Sequence, residues 1–461
     1  MRTLHSSVAA LLLAAVTACP VHASESGTVQ TSQDSLQPVT NAGEKKLQFD
    51  WPMLEIGTGE YAEGPTGVTV FRFGRKVMGA VDVRGGGPGT VNTDFLRLGY
   101  NYPDLDTVVF SGGSWYGLEA TTAAATALKD DGVRGGHWDN VALSVGAIIY
   151  DFGDRRLNEI YPDKRLAQAA FRAAQPGVFP LGAQGAGRSA RSGQFFGCNA
   201  HSGQGGAFRQ VGPVKIAAFT VVNAFGVVTD RNGNVVACNP GEGWPKTLRP
   251  TELLAGMPNS RKPGWQPPKE AGRNTTVSLV VVNQTLEPAL LQRIAVQVHT
   301  SMARGLQPFA TEYDGDVLYA VSTGELDDKQ EGALTSVDLG VIASEVMWDA
   351  ILSSVPEQPR AMQPNKRFKV AAADVTKYQG DYKFSEFVSV RISEQGGKLV
   401  AQATGARDAF AIKKQAAVEL QPVAQGDFTV PGRYPLNVRF ADGKLILNPG
   451  HWQQIGVKSA Q

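Results

Sequence analysis

Arg273-Asn274-Thr275-Thr276-Val277-Ser278-Leu279-Val280-Val281-Val282 is the stretch on which the fold turns. A Pro/Gly-rich polar loop, Gly264 to Gly272, precedes it, and the chain then passes straight into an apolar, β-branched run. Residues of that kind suit a pleated strand, and the Pro/Gly segment suits the turn before it. Breaking the Asn274–Thr275 peptide bond would put a hydroxyl and a free α-amine on one residue. A hydroxyl that carries its own base is a route to an activated nucleophile. The same letters also describe an ordinary turn into a strand, and Asn274-Thr275-Thr276 matches a glycosylation sequon.

The 461 residues are 42% hydrophobic and 19% charged, enough for a large core and more than one domain. A net charge of +1 carries no footprint for nucleic acid or another polyanion. Residues 1–23 read as an export signal, with Arg2, an apolar stretch from Val8 to Val16 and small residues after it. Val21-His22-Ala23 suits a cut before Ser24, and Val16-Thr17-Ala18-Cys19 offers a lipid anchor on Cys19 as the rival. The expected mature protein is periplasmic or secreted, with no transmembrane segment. Cys198 and Cys238 then remain, either paired in an oxidising compartment or as two buried thiols.

Residues 24–48 are polar, rich in Ser, Thr and Gln, and expected to be a disordered linker. Gly67 to Phe73 and Val77 to Val83 read as a hairpin, and Thr107 to Phe110, Val141 to Tyr150, Val214 to Val222 and Val317 to Ser322 as further strands. Gly117 to Leu128, Leu286 to Ala303 and Val337 to Leu352 carry helical spacing. Strands and helices alternate without a clean βαβ period, which argues for layered sheets with helices outside. Pro356, Pro359 and Pro364 then punctuate a polar stretch. Beyond it come short strands with turns at Gly396-Gly397 and Asp442-Gly443, so residues 370–461 form a small β domain expected to be separable from a main domain at 49–360.

Common catalytic signatures are missing. No His-Glu-x-x-His, Cys-x-x-Cys, Walker loop or Gly-x-Ser-x-Gly occurs, so neither a metal nor a cofactor is expected. A serine triad built on Ser114 and His137 is the hydrolase alternative.

Several motifs nonetheless follow one another in order. They are Val81-Asp82-Val83-Arg84-Gly85-Gly86-Gly87-Pro88-Gly89-Thr90, Ser111-Gly112-Gly113-Ser114-Trp115-Tyr116-Gly117-Leu118, Gly185-Ala186-Gly187, Val222-Asn223-Ala224-Phe225-Gly226, Asn274-Thr275-Thr276 and Asp314-Gly315-Asp316. That set resembles the self-cleaving aminopeptidase family of L-aminopeptidase/D-esterases, β-aminopeptidases and nylon-oligomer (6-aminohexanoate-oligomer) hydrolases, over residues 50–350. The resemblance implies an α/β fold, an αββα layered core of N-terminal-nucleophile type, here with an appended C-terminal small β-barrel-like domain. It further implies an inactive precursor cut into two chains, homo-oligomers of cleaved chain pairs, and a small peptide or amide-oligomer substrate. The Asn-Thr-Thr form is similar to the nylon-oligomer branch.

Position by position, Thr275 matches the nucleophile and Asn274 the residue before the cut. Asn223 matches an active-site asparagine able to donate to an oxyanion. Asp314 and Asp316 match acidic residues near the nucleophile, and Tyr150 a tyrosine lining the site. Trp115 and Ser114 are pocket candidates. Gln194, in Gly193-Gln194-Phe195-Phe196-Gly197, stands where the family has lysine, and Arg188 and Arg191 are the nearby candidates to replace its charge. The expected activity is that of a cofactor-free N-terminal-threonine aminopeptidase or amide hydrolase. The non-enzyme alternative is an uncut periplasmic binding protein.

Overall fold

The computed structural model describes residues 33–100, 103–135, 137–244, 246–258, 261 and 274–459. The expected export signal, Cys19 and the loop from Gly264 to Gly272 lie outside them. Of an N-terminal unit, Met1–Ser35, only the 3-10 turn Gln33–Ser35 is described, and Leu36–Gln461 is a second compact unit. Its main elements in chain order are β1 (Leu54–Tyr61), β2 (Thr66–Val83), β3 (Asp104–Ser111), α1 (Glu119–Asp130), β4 (Ser144–Ile148), α2 (Lys164–Arg172), β5 (Gln204–Val211), β6 (Val214–Asn223), β7 (Thr275–Gln284), α3 (Pro288–Ser301), β8 (Val317–Leu326) and α4 (Ser336–Ser353).

The strands join one mixed sheet in the order β5-β6-β7-β8-β2-β3-β4, with β1 also on β2. Only β7/β8 and β3/β4 run parallel among these pairs. The two-residue period of a strand gives β7 two apolar faces. Val277, Leu279 and Val281 join Phe71, Phe110, Phe219 and Tyr319 in a core drawn mainly from strands. Val280 and Val282 face the other way, against Leu291, Ile294 and Val298 of α3 and Leu339, Val346 and Met347 of α4. A third cluster sets Val68, Val70 and Val109 against alanines of α1 and Leu166, Ala170 and Phe171 of α2. Both faces of the strands are therefore covered, which is why they read as continuous apolar runs.

Two local expectations are corrected. Gly67 to Phe73 and Val77 to Val83 are one strand, β2, and not a hairpin. The register with β3 shifts between Arg72 and Val77, and Gly74 does not adopt the positive φ of a tight turn. Arg75 is held by the carbonyls of Thr323 (2.8 Å) and Gly324 (3.0 Å), so residues 74–76 make a bulge. Residues 36–48, expected within the disordered linker, are ordered: Leu36 is buried, Val39–Thr40 pairs with β1 and Lys46–Gln48 with Val178–Pro180.

Residues beyond the proline-punctuated stretch form a nine-stranded antiparallel sheet with its own core, including Tyr382, Val390, Phe428 and Leu445. The strands at its two edges, Val418–Glu419 and Gln421–Ala424, are separated in the chain by Leu420 alone, so the sheet curls into a nearly closed barrel. Its hairpins turn at Gly396-Gly397 and Asp442-Gly443, all four at positive φ, as two-residue hairpin loops require.

Candidate active site

Three chain segments meet where β7 begins. Thr275, the first residue of β7, lies opposite Asn223, the last of β6, in antiparallel register. Residues directly opposed in such a pair project from the same face, so the amide of Asn223 and the hydroxyl of Thr275 share one side of the sheet. Asn274 bridges to Asp314 in the loop that leads into β8. There the Gly315 N–H donates to the Asn274 carbonyl at 2.8 Å, and the Thr275 hydroxyl donates to the same oxygen at 2.6 Å. Both residues are 2% exposed, so this peptide group is cut off from bulk water. A hydroxyl and a backbone N–H thus converge on a single carbonyl.

Glycines make that convergence possible. A Cβ on Gly85 would stand 2.1 Å from the Asp316 nitrogen, and one on Gly315 would stand 2.8 Å from Thr275 Oγ1 and 2.7 Å from the Gly87 carbonyl. The Gly85-Gly86-Gly87 run lies against the 312–316 loop, and the Gly87 N–H bonds the Asp314 carbonyl at 2.9 Å.

Asp314 and Asp316 staple this loop through backbone N–H groups. Asp316 accepts from Thr276 (2.6 Å) and Ala310 (3.1 Å), and Asp314 from Phe225 (3.1 Å) and Thr311 (3.0 Å). Burial raises the pKa of Asp314. Burial, and then the neighbouring Asp314, push Asp316 well above the usual carboxylate range. Two acids this close in a dry site cannot both ionise freely.

Asn223 is held by its oxygen. Its Oδ1 accepts from the Arg155 guanidinium and from the Arg191 backbone N–H (3.2 Å), while its Nδ2 donates to the Tyr150 carbonyl at 3.2 Å. Two donors on one atom fix which end of the amide is oxygen. Tyr150 therefore reaches this group through its backbone. Gln194 is adjacent, its Oε1 accepting from Asn274 Nδ2 at 3.1 Å. Of the two arginines expected to replace the lysine charge, Arg188 is engaged by buried Glu60 at 2.5 Å, and the Arg191 side chain lies 3.5 Å from Asp154. Arg155 is the one whose guanidinium reaches Asn223. Sequence reasoning missed it.

Thr275, Asn274, Asn223, Asp314, Asp316, Gln194 and the Tyr150 backbone are thus brought together. Ser114 and Trp115 sit farther out: the Ser114 N–H bonds the Ile149 carbonyl, and Trp115 is 74% exposed beside Gly89. His137 is paired with Asp139 on the surface, and no bond joins it to Ser114 among the described residues. No cluster of metal-ligating side chains occurs among the described residues.

The cysteines are paired as Cys198–Cys238, which ties the Gln194 loop to the segment after β6. The C-terminal barrel grips the same loops. Arg433 and Tyr434 each donate to the Gly197 carbonyl at 2.7 Å. Trp452 donates to the Arg188 carbonyl at 2.8 Å and stacks on His201 with ring centres 3.9 Å apart.

Comparison with known proteins gives the chain's relatives. The model of peptidase family S58 matches residues 49–365. The 6-aminohexanoate-oligomer endohydrolase of Paenarthrobacter ureafaciens is 40% identical over 327 residues, 69% of this chain and 88% of that protein. An uncharacterised aminopeptidase of Mycobacterium leprae is 32% identical over 318 residues, 63% of this chain and 82% of that one. Among solved structures, an L-aminopeptidase D-Ala-esterase/amidase from Ochrobactrum anthropi superposes with a TM-score of 0.46 and 16% identity, over 66% of this chain and 82% of that one.

Proposed function

The chain belongs to peptidase family S58, a family of amide hydrolases, and from that premise we propose an exported, self-processing N-terminal-threonine amidohydrolase acting on small peptides or amide oligomers. Its core on this reading is the αββα, N-terminal-nucleophile arrangement, a reading supported by two helix pairs packed in separate clusters against strands whose other faces meet in a core of their own. The observation that carries the proposal is the Asn274 carbonyl, approached by Thr275 Oγ1 at 2.6 Å and held by the Gly315 N–H at 2.8 Å.

Maturation begins when Thr275 Oγ turns from the carbonyl oxygen to the carbonyl carbon and adds to it, the Gly315 N–H receiving the developing negative charge. Collapse breaks the Asn274–Thr275 C–N bond as the Oγ proton passes to the departing nitrogen, leaving an ester on Oγ and a free α-amine on Thr275. Water opens the ester, releasing the Asn274 carboxylate and restoring the hydroxyl. In turnover the α-amine takes the Oγ proton as Oγ attacks a substrate amide, and Asn223 Nδ2 donates to the oxyanion. The amine leaving group takes that proton, and water hydrolyses the acyl-enzyme. Burial of the site strengthens each of these polar contacts by excluding water.

The precursor is a zymogen on this reading, and the leader at 1–23 places its product in the periplasm or outside the cell, as an oligomer of cleaved pairs. A denaturing gel with N-terminal sequencing tests the proposal: wild type should give chains 24–274 and 275–461, the second beginning Thr-Thr-Val-Ser, and Thr275→Ala should stay whole and inactive. An intact wild-type chain with full amidase activity would sink it.

A further inference from the structure

In the stretch 153–157, Gly153, Arg155, Arg156 and Leu157 divide among three tasks. Arg155 donates to the Tyr150 carbonyl at 2.7 Å and to Asn223 Oδ1. Arg156, fully buried, pairs with Asp151 at 2.9 Å and bonds the Gly64 and Ile160 carbonyls, which anchors the stretch to the main body. The remaining ties run to the barrel. The Gly153 carbonyl accepts from Arg407 at 2.5 Å, the Leu157 N–H donates to Gln454 Oε1 at 2.8 Å, and the Leu157 side chain is buried in the barrel's own core. Arg155 is therefore bracketed on both sides by contacts with a domain that lies beyond the family match, which ends at residue 365.

We propose that Arg155 is a positioning residue for turnover, setting the amide of Asn223 and supplying the positive charge that Gln194 lacks, and that the C-terminal barrel holds it in place. This rests on the reading of Asn223 as the oxyanion donor. A guanidinium on Oδ1 keeps the amide from flipping and polarises it, so its N–H groups become better donors. Burial lowers the Arg155 pKa to about 10, which leaves it charged at neutral pH. Neutral Gln194 bonds Asn274 and brings no charge. The barrel is then a working part of the site: it clamps the backbone on either side of the arginine. Because the Gly315 N–H already holds the precursor carbonyl, maturation and turnover should respond differently.

The test uses the full chain and an aminoacyl anilide, with cleavage, kcat, KM and melting temperature measured on each variant. Arg155→Met should still be cut before Thr275 while kcat falls about 10²-fold with KM little changed, the usual size for one misplaced oxyanion donor. Arg155→Lys should recover part of that loss, and added guanidinium should raise kcat of Arg155→Ala, which a purely structural role would not allow. Arg407→Met, remote from the reacting atoms, should lower kcat several-fold in the same direction. Wild-type kcat in Arg155→Met would overturn the proposal. So would a loss that neither lysine nor guanidinium restores. Normal turnover in Arg407→Met, beside a defective Arg155→Met, would overturn the barrel's part in it. A wild type that is never cut before Thr275 would instead remove the underlying reading.

Discussion

Gly315→Ala separates the chemistry of self-cleavage from the stability of the fold. The new Cβ would stand 2.8 Å from Thr275 Oγ1 and 2.7 Å from the Gly87 carbonyl, both too close to persist. Gly315 lies outside the left-handed region, so alanine there adds no backbone strain. The cost is steric and local. Thr275 is β-branched, with few alternative χ1 positions, so either its hydroxyl swings off the Asn274 carbonyl or the Gly315 N–H retreats from it. Each outcome removes one of the two groups converging on that oxygen. Loss of a single oxyanion donor costs about 10²–10³ in rate, or ~2.7–4 kcal/mol of barrier. Overpacking of a core typically costs ~1–3 kcal/mol of stability, enough to lower the melting temperature by several degrees without unfolding the chain. The assay is cell-free translation followed by a timed denaturing gel, with Thr275→Ala as the uncut control. The half-time for appearance of 275–461 should lengthen by two to three orders of magnitude. Cleavage at the wild-type rate by folded Gly315→Ala would show that the carbonyl is not activated where Gly315 stands.

Other outcomes follow from the same geometry. Asn223→Ala should mature yet lose about 10²–10³ in kcat, and a normal kcat with only a lower melting temperature would make the residue structural. His201, stacked on Trp452, is held by burial at a pKa of about 3, below the ordinary 6.5. The unfolded chain therefore binds a proton that the folded one lacks between those values, so this stability is full above pH 6.5 and lost as pH falls, by about 2 kcal/mol at pH 5. His201→Phe should flatten the fall in melting temperature between pH 7 and 5, and an unchanged slope would refute the assignment. A chain ending at Asn365 uncovers Leu157, whose burial alone is worth about 1.5–3 kcal/mol. It should aggregate or turn over poorly, whereas a soluble, cleaved and fully active truncation would show that the main body stands by itself.

Much of this was legible in the residues. The central strands β6, β7 and β8 announce themselves because both of their faces are buried, which leaves unbroken apolar runs. The grouping of Thr275, Asn223, Asp314 and Asp316 came from the order of short motifs, each of them ambiguous alone. What stayed hidden was settled by long-range contact. Arg155 and Arg156 are indistinguishable as letters, yet one turns to Asn223 and the other to Asp151. Arg188 and Arg191 lie nearer in sequence to Gln194 and are the candidates for the missing charge, yet Glu60 engages the first from β1 and Asp154 stands 3.5 Å from the second. The bulge in β2 looks like a turn because Gly74-Arg75-Lys76 is polar, and only the carbonyls of Thr323 and Gly324 explain why the strand runs on. The prolines between the two domains suggest independence, and Leu157, far upstream in the chain yet seated in the barrel core, argues against it.

The buried acid pair has a consequence for what happens after the bond breaks. On the proposed reading, hydrolysis would create a carboxylate on Asn274 and an amine on Thr275 within a site already crowded by Asp314 and Asp316. The amine is attached to β7 and stays, where the aspartates favour it. The new carboxylate would be a third negative group in a cavity that resists ionising two, held against that repulsion by the Gly315 N–H and by the bond from its side chain to Gln194. Cleavage would thereby generate its own ejecting force: mutual repulsion drives the severed end out and vacates, beside the fresh terminus, the space its peptide group had filled. A carboxypeptidase should then trim Asn274 from the matured chain, and failure to trim it would mean that the tail remains as a plug.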